Sequence, residues 1–81
     1  MAYETLNRLK WTGKLPQCHV IILHRGAPEN RKTIEGRKIT QIKKSHFYYK
    51  ENYDEKFIPL HRVMEINIGG KTVWKRNTKK G

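Results

Sequence analysis

The chain predicts a small α+β domain: a mostly antiparallel sheet, a short N-terminal helix, and a second short helix or turn. Three observations carry this expectation. Tyr3, Leu6 and Leu9 recur at helical spacing near the start, Cys18 to Leu23 reads CHVIIL, and Gly69-Gly70 separates two alternating runs. With 81 residues there is room for one domain, 1–81, with an ordered core over about 3–77.

The helix is expected over Tyr3 to Trp11. Arg8 and Lys10 can lay their stems along apolar surface and keep their charges in water, and Trp11 is assigned to the core. Gly13 and Pro16 stop the helix. Cys18 to Leu23 is β-rich and nearly all apolar, the pattern of a central strand. Gly26 and Pro28 end it, which leaves His24 and Arg25 at a strand end, where loops and sites gather. Glu29 to Gly36 is polar and turn-rich, with room for a brief edge strand at Thr33-Ile34. Ile39 and Ile42, three apart, point to a short helix or turn covering one sheet face. His46 to Lys50 (HFYYK) reads as a strand, Glu51 to Lys56 as a turn, and Phe57 begins the return strand. Tyr48 and Tyr49 alternate, so at least one ring faces outward.

Gly69-Gly70 is a two-residue hairpin turn, because glycine accepts positive φ at both loop positions. A hairpin centred there sets Ile66 opposite Val73 and Glu65 opposite Trp74. Period-two alternation then sends Met64, Ile66, Ile68 and Val73 to the core and gathers His61, Val63, Glu65, Thr72, Trp74 and Arg76 on the other face. Arg62 breaks the pattern, since strict alternation points it inward beside Leu60 and Met64. A lone buried guanidinium is too costly to stand unpaired. Either a bulge after Pro59 swings it outward, or it has a partner such as Glu65 or a C-terminal carboxylate.

Charge is the strongest global signal. Eighteen Lys and Arg against seven acids give +11 at neutral pH, which draws polyanions with salt-sensitive affinity. The run from Gly36 to Lys50 holds Arg37, Lys38, Lys43, Lys44 and Lys50 and no acid. The acids Glu51, Asp54 and Glu55 make the next loop a poor polyanion contact. No segment reads as a signal peptide, a membrane-spanning helix or an amphipathic membrane helix, so no membrane partner is expected. Cys18 is the only cysteine, which excludes an intrachain disulfide and fits a buried thiol in a reducing, cytoplasmic setting.

Chemistry is sparse. One Cys and four scattered His form no zinc motif, no glycine-rich loop carries the Lys-Ser/Thr that phosphate cradles need, and no cofactor is expected. His24-Arg25 and His61-Arg62 are the candidates for phosphate. Two imidazoles could serve as acid and base while arginines hold the anion, and the same residues could bind phosphate without turnover. Each has a plainer reading: His24 as a strand cap, His61 as a hydrogen-bonding partner of the Pro59 turn. Trp74, Tyr48 and Tyr49 can stack on bases, although Trp74 would serve equally as a lid over the core. Arg37, Lys38, Lys43, Lys44 and Lys75 suit backbone contacts, as do Lys79 and Lys80 if they are more than solvated surface.

Leu6-x-x-Leu9-Lys10-Trp11, His24-Arg25-Gly26, Ile58-Pro59-x-His61-Arg62-Val63 and Val73-Trp74-x-Arg76 together resemble a family of small archaeal uncharacterised proteins. The resemblance spans about Leu6 to Arg76. Related domains occur fused in larger proteins with RNA-processing partners, and the domain is named for recognition of RNA ends bearing a cyclic phosphate. The resemblance implies that His24, Arg25, His61, Arg62 and Arg76 hold a terminal phosphate beside Trp74, with RNA backbone on the lysines. His24 sits at a position that varies between acid and His in that motif. The expected function is RNA binding at 3′-terminal or cyclic phosphate ends. A metal-independent RNA phosphodiesterase or endoribonuclease, and a basic adaptor for RNA-processing proteins, are the alternatives.

Overall fold

The computed structural model describes residues 2–76. Asn77, Lys79 and Lys80 lie outside them. Helix α1 (Ala2–Trp11) is followed by strands β1 (Cys18–Leu23), β2 (Arg31–Glu35), β3 (Ile39–Ile42), β4 (His46–Glu51), β5 (Asp54–Pro59), β6 (Val63–Ile68) and β7 (Lys71–Lys75). The strands form two antiparallel sheets rather than one. The larger has the order β2-β1-β6-β7 and the smaller β3-β4-β5. The connection from β2 to β3 passes from one sheet to the other through a 3₁₀ turn at Gly36–Lys38.

The α+β expectation holds: one helix packs on antiparallel strands. Leu6 and Leu9 of α1 are buried against Val20, Ile22, Ile34, Phe47, Ile58, Val63 and Ile66 from both sheets. Burying a side chain of this size contributes about 1.5–3 kcal/mol. Cys18 lies in the same core, and burial pushes its thiol pKa up. Gly36 sits tightly at the turn between the sheets. A Cβ there would overlap the Leu15 carbonyl oxygen and the Cys18 sulfur, so only glycine fits.

Several local expectations are corrected. Ile39 and Ile42 lie on a strand, not a helix. The ladder from β3 to β4 shifts between Ile39 and Gln41, so Thr40 is an extra residue, and both isoleucines pack on the core despite their spacing of three. The turn between β4 and β5 is only Asn52-Tyr53, since the ladder already pairs Glu51 with Asp54. The edge strand runs over Arg31–Glu35, longer than Thr33-Ile34. Trp11 is 81% exposed. It is the last residue of α1, with the buried stripe ending at Leu9.

The β6–β7 hairpin turns at Gly69-Gly70 as expected, with φ of +55° and +81°. Its register does not stay regular. Asn67 pairs with Thr72, but Ile66 pairs with Trp74, which leaves Val73 as an extra residue. Trp74 therefore turns toward the core and Val73 is exposed, the reverse of the alternation expected from the turn. A second shift sets Glu65 opposite Ile21 and Val63 opposite Ile22, so Met64 is extra and Val63 is buried in its place. The polar face of this hairpin carries a Thr72 hydroxyl that donates to Glu65 Oε2 at 3.0 Å.

Candidate nucleic-acid interface

The topology brings both His-Arg pairs to one edge. Strands β1 and β6 are antiparallel, with Ile22 opposite Val63. Residues just after β1 therefore lie beside residues just before β6. His24-Arg25 follow the first strand and His61-Arg62 precede the second. Strand β7 runs back along β6, and the Arg76 N–H donates to Met64 O at 2.8 Å, which carries Arg76 to the same edge.

Local chemistry shapes each arm. After β1 the chain turns at Gly26, whose φ of +92° suits glycine. His24 N–H donates to Asn30 O at 2.8 Å and Ala27 N–H to His24 O at 3.2 Å, closing the loop that presents Arg25. After Pro59, Leu60–Arg62 form a single 3₁₀ turn, not the expected bulge. Arg62 is half-buried and paired: its Nε and Nη2 donate to Leu23 O at 3.1 and 2.8 Å. The partner is a backbone carbonyl at the end of β1, not Glu65. Two of the five guanidinium donors are held there, which fixes the plane of the arginine at the cleft.

Two adjoining clefts result. One, of about 500 Å³, is lined by Leu23, His24, Arg25, His61, Arg62 and Arg76. The other, of about 420 Å³, shares His61 and Arg76 and adds Ala2, Lys44, Ser45, Leu60, Val63 and Trp74. Among the described residues, no carboxylate lines either cleft. Three guanidinium groups and two imidazoles thus line the first cleft, where a phosphate can take charge-assisted, bidentate hydrogen bonds, and the Lys44 ammonium lines the second. Trp74 forms an apolar wall of the second cleft while packing on the core.

The remaining candidates are scattered. Tyr49 is 4% exposed, so its ring has no open face for a base. Tyr48 is the outward ring of the pair, on the smaller sheet. Arg37 pairs with Glu35, and that guanidinium holds the Glu35 carboxyl below the usual carboxylate range. Arg37 and Lys38 lie on the turn between the sheets and line neither cleft. Lys43 is exposed in the β3–β4 connection, and Lys75 is exposed opposite Glu65. Sequence reasoning missed Ala2, Ser45 and Leu60 as cleft lining, since nothing in their types marks them. Among the described residues, no three His, Cys, Asp or Glu side chains gather as a metal site requires, and no helix is long and apolar enough to cross a membrane.

Comparison with known proteins supports the motif resemblance. Residues 1–76 match the family described as the MJ1316 RNA cyclic group end recognition domain. A UPF0248 protein of Methanococcus vannielii is 44% identical over 68 residues, covering 82% of this chain and 77% of that protein. The UPF0248 protein MJ1316 of Methanocaldococcus jannaschii is 40% identical over 68 residues, covering 82% and 79%. A UPF0248 protein of Metallosphaera sedula is 34% identical over 76 residues, covering 90% and 88%. No solved structure matches the chain. With the family pattern running over residues 1–76, the chain belongs to the MJ1316 RNA cyclic group end recognition domain family.

Proposed function

We propose that this protein binds RNA at a processed end and holds a terminal or cyclic phosphate in the arginine cleft. One observation carries the reading: His24-Arg25 and His61-Arg62, far apart in the chain, line one concavity with Arg76 and, among the described residues, no carboxylate. Arg25, Arg62 and Arg76 grip the phosphate oxygens, His24 and His61 donate to them, and Trp74 and Lys44 flank the adjoining ribose and backbone. The family description, which names RNA cyclic group ends, supports RNA over DNA and the cyclic end over other phosphates. Lys38, Lys43 and Lys75 add diffuse attraction. RNA-processing proteins as partners and a cytoplasmic setting, consistent with the free Cys18, complete the proposal.

The test is a titration at two salt concentrations with RNA ending in cyclic phosphate, linear phosphate or hydroxyl. The cyclic end is expected to bind tightest, and equal affinities for all three would sink end recognition. Arg25→Ala and Arg62→Ala are each expected to cost about 1–3 kcal/mol of end preference. Lys75→Ala should mainly reduce the salt dependence.

A second reading rests on the two imidazoles sharing that cleft. In a phosphodiesterase, one would take a proton from water attacking the cyclic phosphorus. The other would return a proton to the departing ribose oxygen, leaving a linear monoester. Incubation in metal-free buffer, followed by analysis of the RNA ends, separates binding from turnover.

A further inference from the structure

The outward face of the smaller sheet carries a second feature. Along β4, His46, Tyr48 and Lys50 alternate with the buried Phe47 and Tyr49. The register sets Pro59 opposite His46 and Phe57 opposite Tyr48. Three rings then meet on one surface. The His46 and Phe57 centroids are 4.7 Å apart with planes at 35°, His46 and Tyr48 are 5.3 Å apart, and Tyr48 and Phe57 are 5.6 Å apart. Phe57 remains 52% exposed. An aromatic surface of this kind gains little from facing water, and no role in the core explains it.

Its position is specific. Ser45, which lines the smaller cleft, immediately precedes His46, and its Oγ lies 3.1 Å from His46 Nδ1. Leu60, another lining residue, immediately follows Pro59, and its N–H donates to Ser45 O at 2.9 Å. The rings therefore begin one residue beyond the cleft on β4, at His46, and three residues beyond it on β5, at Phe57. Charge gives the surface a direction. Lys43 and Lys44 stand at the cleft end, whereas the far end of the hairpin mixes Lys50 and Lys56 with Asp54, Glu55 and a Glu51 paired with Lys32. A polyanion is drawn more strongly toward the cleft end than beyond Tyr48 and Phe57.

We propose that His46, Tyr48 and Phe57 form a stacking platform for the one or two unpaired nucleobases that precede the phosphate end held in the cleft. This rests on the end-binding reading and adds to it a substrate class: single-stranded or overhanging ends, not blunt duplex ends. Aromatic side chains on a sheet surface stack bases with little sequence preference, because every base offers a π-face. The platform holds about two bases, since the next outward pair along the ladder, Lys50 with Glu55, offers no ring.

The experiment compares a nucleoside 2′,3′-cyclic monophosphate with RNA of two, three, four and six nucleotides bearing the same end, and with linear-phosphate and hydroxyl versions. Affinity is expected to rise about tenfold or more from one nucleotide to three, then level off. Phe57→Ala should remove about tenfold of that gain and leave the mononucleotide affinity and the end preference unchanged. Phe57→Tyr should restore the gain and Phe57→Leu should not. A blunt duplex with the same end should bind no better than the mononucleotide. End preference without a gain with length, or a gain that survives Phe57→Ala, overturns the platform and leaves the cleft. Phe57→Leu binding as tightly as wild type overturns stacking in favour of a generic apolar surface for a protein partner. A gain with length that Phe57→Ala abolishes, but with equal affinity for all three ends, overturns end recognition and leaves the stacking.

Discussion

Hairpins β4–β5 and β6–β7 both close through two residues with positive φ, Asn52-Tyr53 in one and Gly69-Gly70 in the other. Beyond the turns they diverge. The first keeps one register through six consecutive pairs, from Glu51-Asp54 to His46-Pro59. The second shifts after two, where Val73 is extra, and β6 shifts again against β1 at Met64. In the regular hairpin, simple alternation sorts the faces correctly, with Phe47 and Tyr49 inward and Tyr48 outward. In the irregular one it fails for Val63, Val73 and Trp74. The irregular hairpin is also the one that carries Arg76 to both clefts and Trp74 to the smaller one. An extra residue re-aims the side chains beyond it, and here the re-aimed side chains are those proposed to meet the ligand.

The largest expected effect comes from breaking the joint between the two sheets. Gly36→Ala forces a Cβ into a backbone oxygen and a sulfur, and should cost about 3 kcal/mol, read as a fall in the denaturant midpoint. The register shift itself is tested by neighbours. Trp74→Ala should cost about 2 kcal/mol because the half-buried ring packs on the core, whereas Val73→Thr should stay within about 0.5 kcal/mol. A regular register would reverse that order. At the turns, Tyr53 is almost wholly exposed and has φ of +73°, a conformation glycine adopts without a Cβ clash. Tyr53→Gly should therefore raise stability by about 1 kcal/mol in thermal unfolding, bringing the first turn to the chemistry of the second.

The smallest effect is a pH dependence across the sheets. Lys32 on β2 pairs with Glu51 on β4 at 3.2 Å. The Lys32 hydrogen bond holds the Glu51 carboxyl below the usual carboxylate range. The Tyr49 phenol first, and Glu51 after it, hold the Lys32 ammonium above the ordinary lysine range. A lowered carboxyl stabilises the fold above its unfolded pKa, and that contribution is lost as pH falls through the folded value. A raised ammonium stabilises below its unfolded pKa, and the contribution is lost as pH rises through the folded value. The pair therefore works between the two ranges. Glu51→Gln should flatten the acid limb of a stability–pH curve.

Much of the local structure was legible. The 3.6-residue period at Leu6 and Leu9 specified α1, the apolar run CHVIIL specified the whole of β1, and Gly69-Gly70 specified a turn. The candidate cleft was legible as a set of residue types, His24-Arg25, His61-Arg62 and Arg76, but not as a place. Arg62 shows why. Alternation pointed it inward and demanded a partner, yet that partner is Leu23 O, 39 residues away, which no local pattern can name. Ile39 and Ile42 show the other failure: an extra strand residue at Thr40 imitates helical spacing.

By itself, then, the amino-acid order determined most element types, the basic charge and the pool of candidate phosphate-binding side chains, because propensity, turn chemistry and charge act over a few residues. Only the tertiary structure decided which of those side chains meet. The antiparallel pairing of β1 with β6 is chosen by the burial of Val20, Ile22, Val63 and Ile66 together, and that collective choice sets the two His-Arg pairs at one edge. The extra residues at Met64 and Val73 belong to the same level. They exist relative to a partner strand, so they acquire meaning only once the partner is in place.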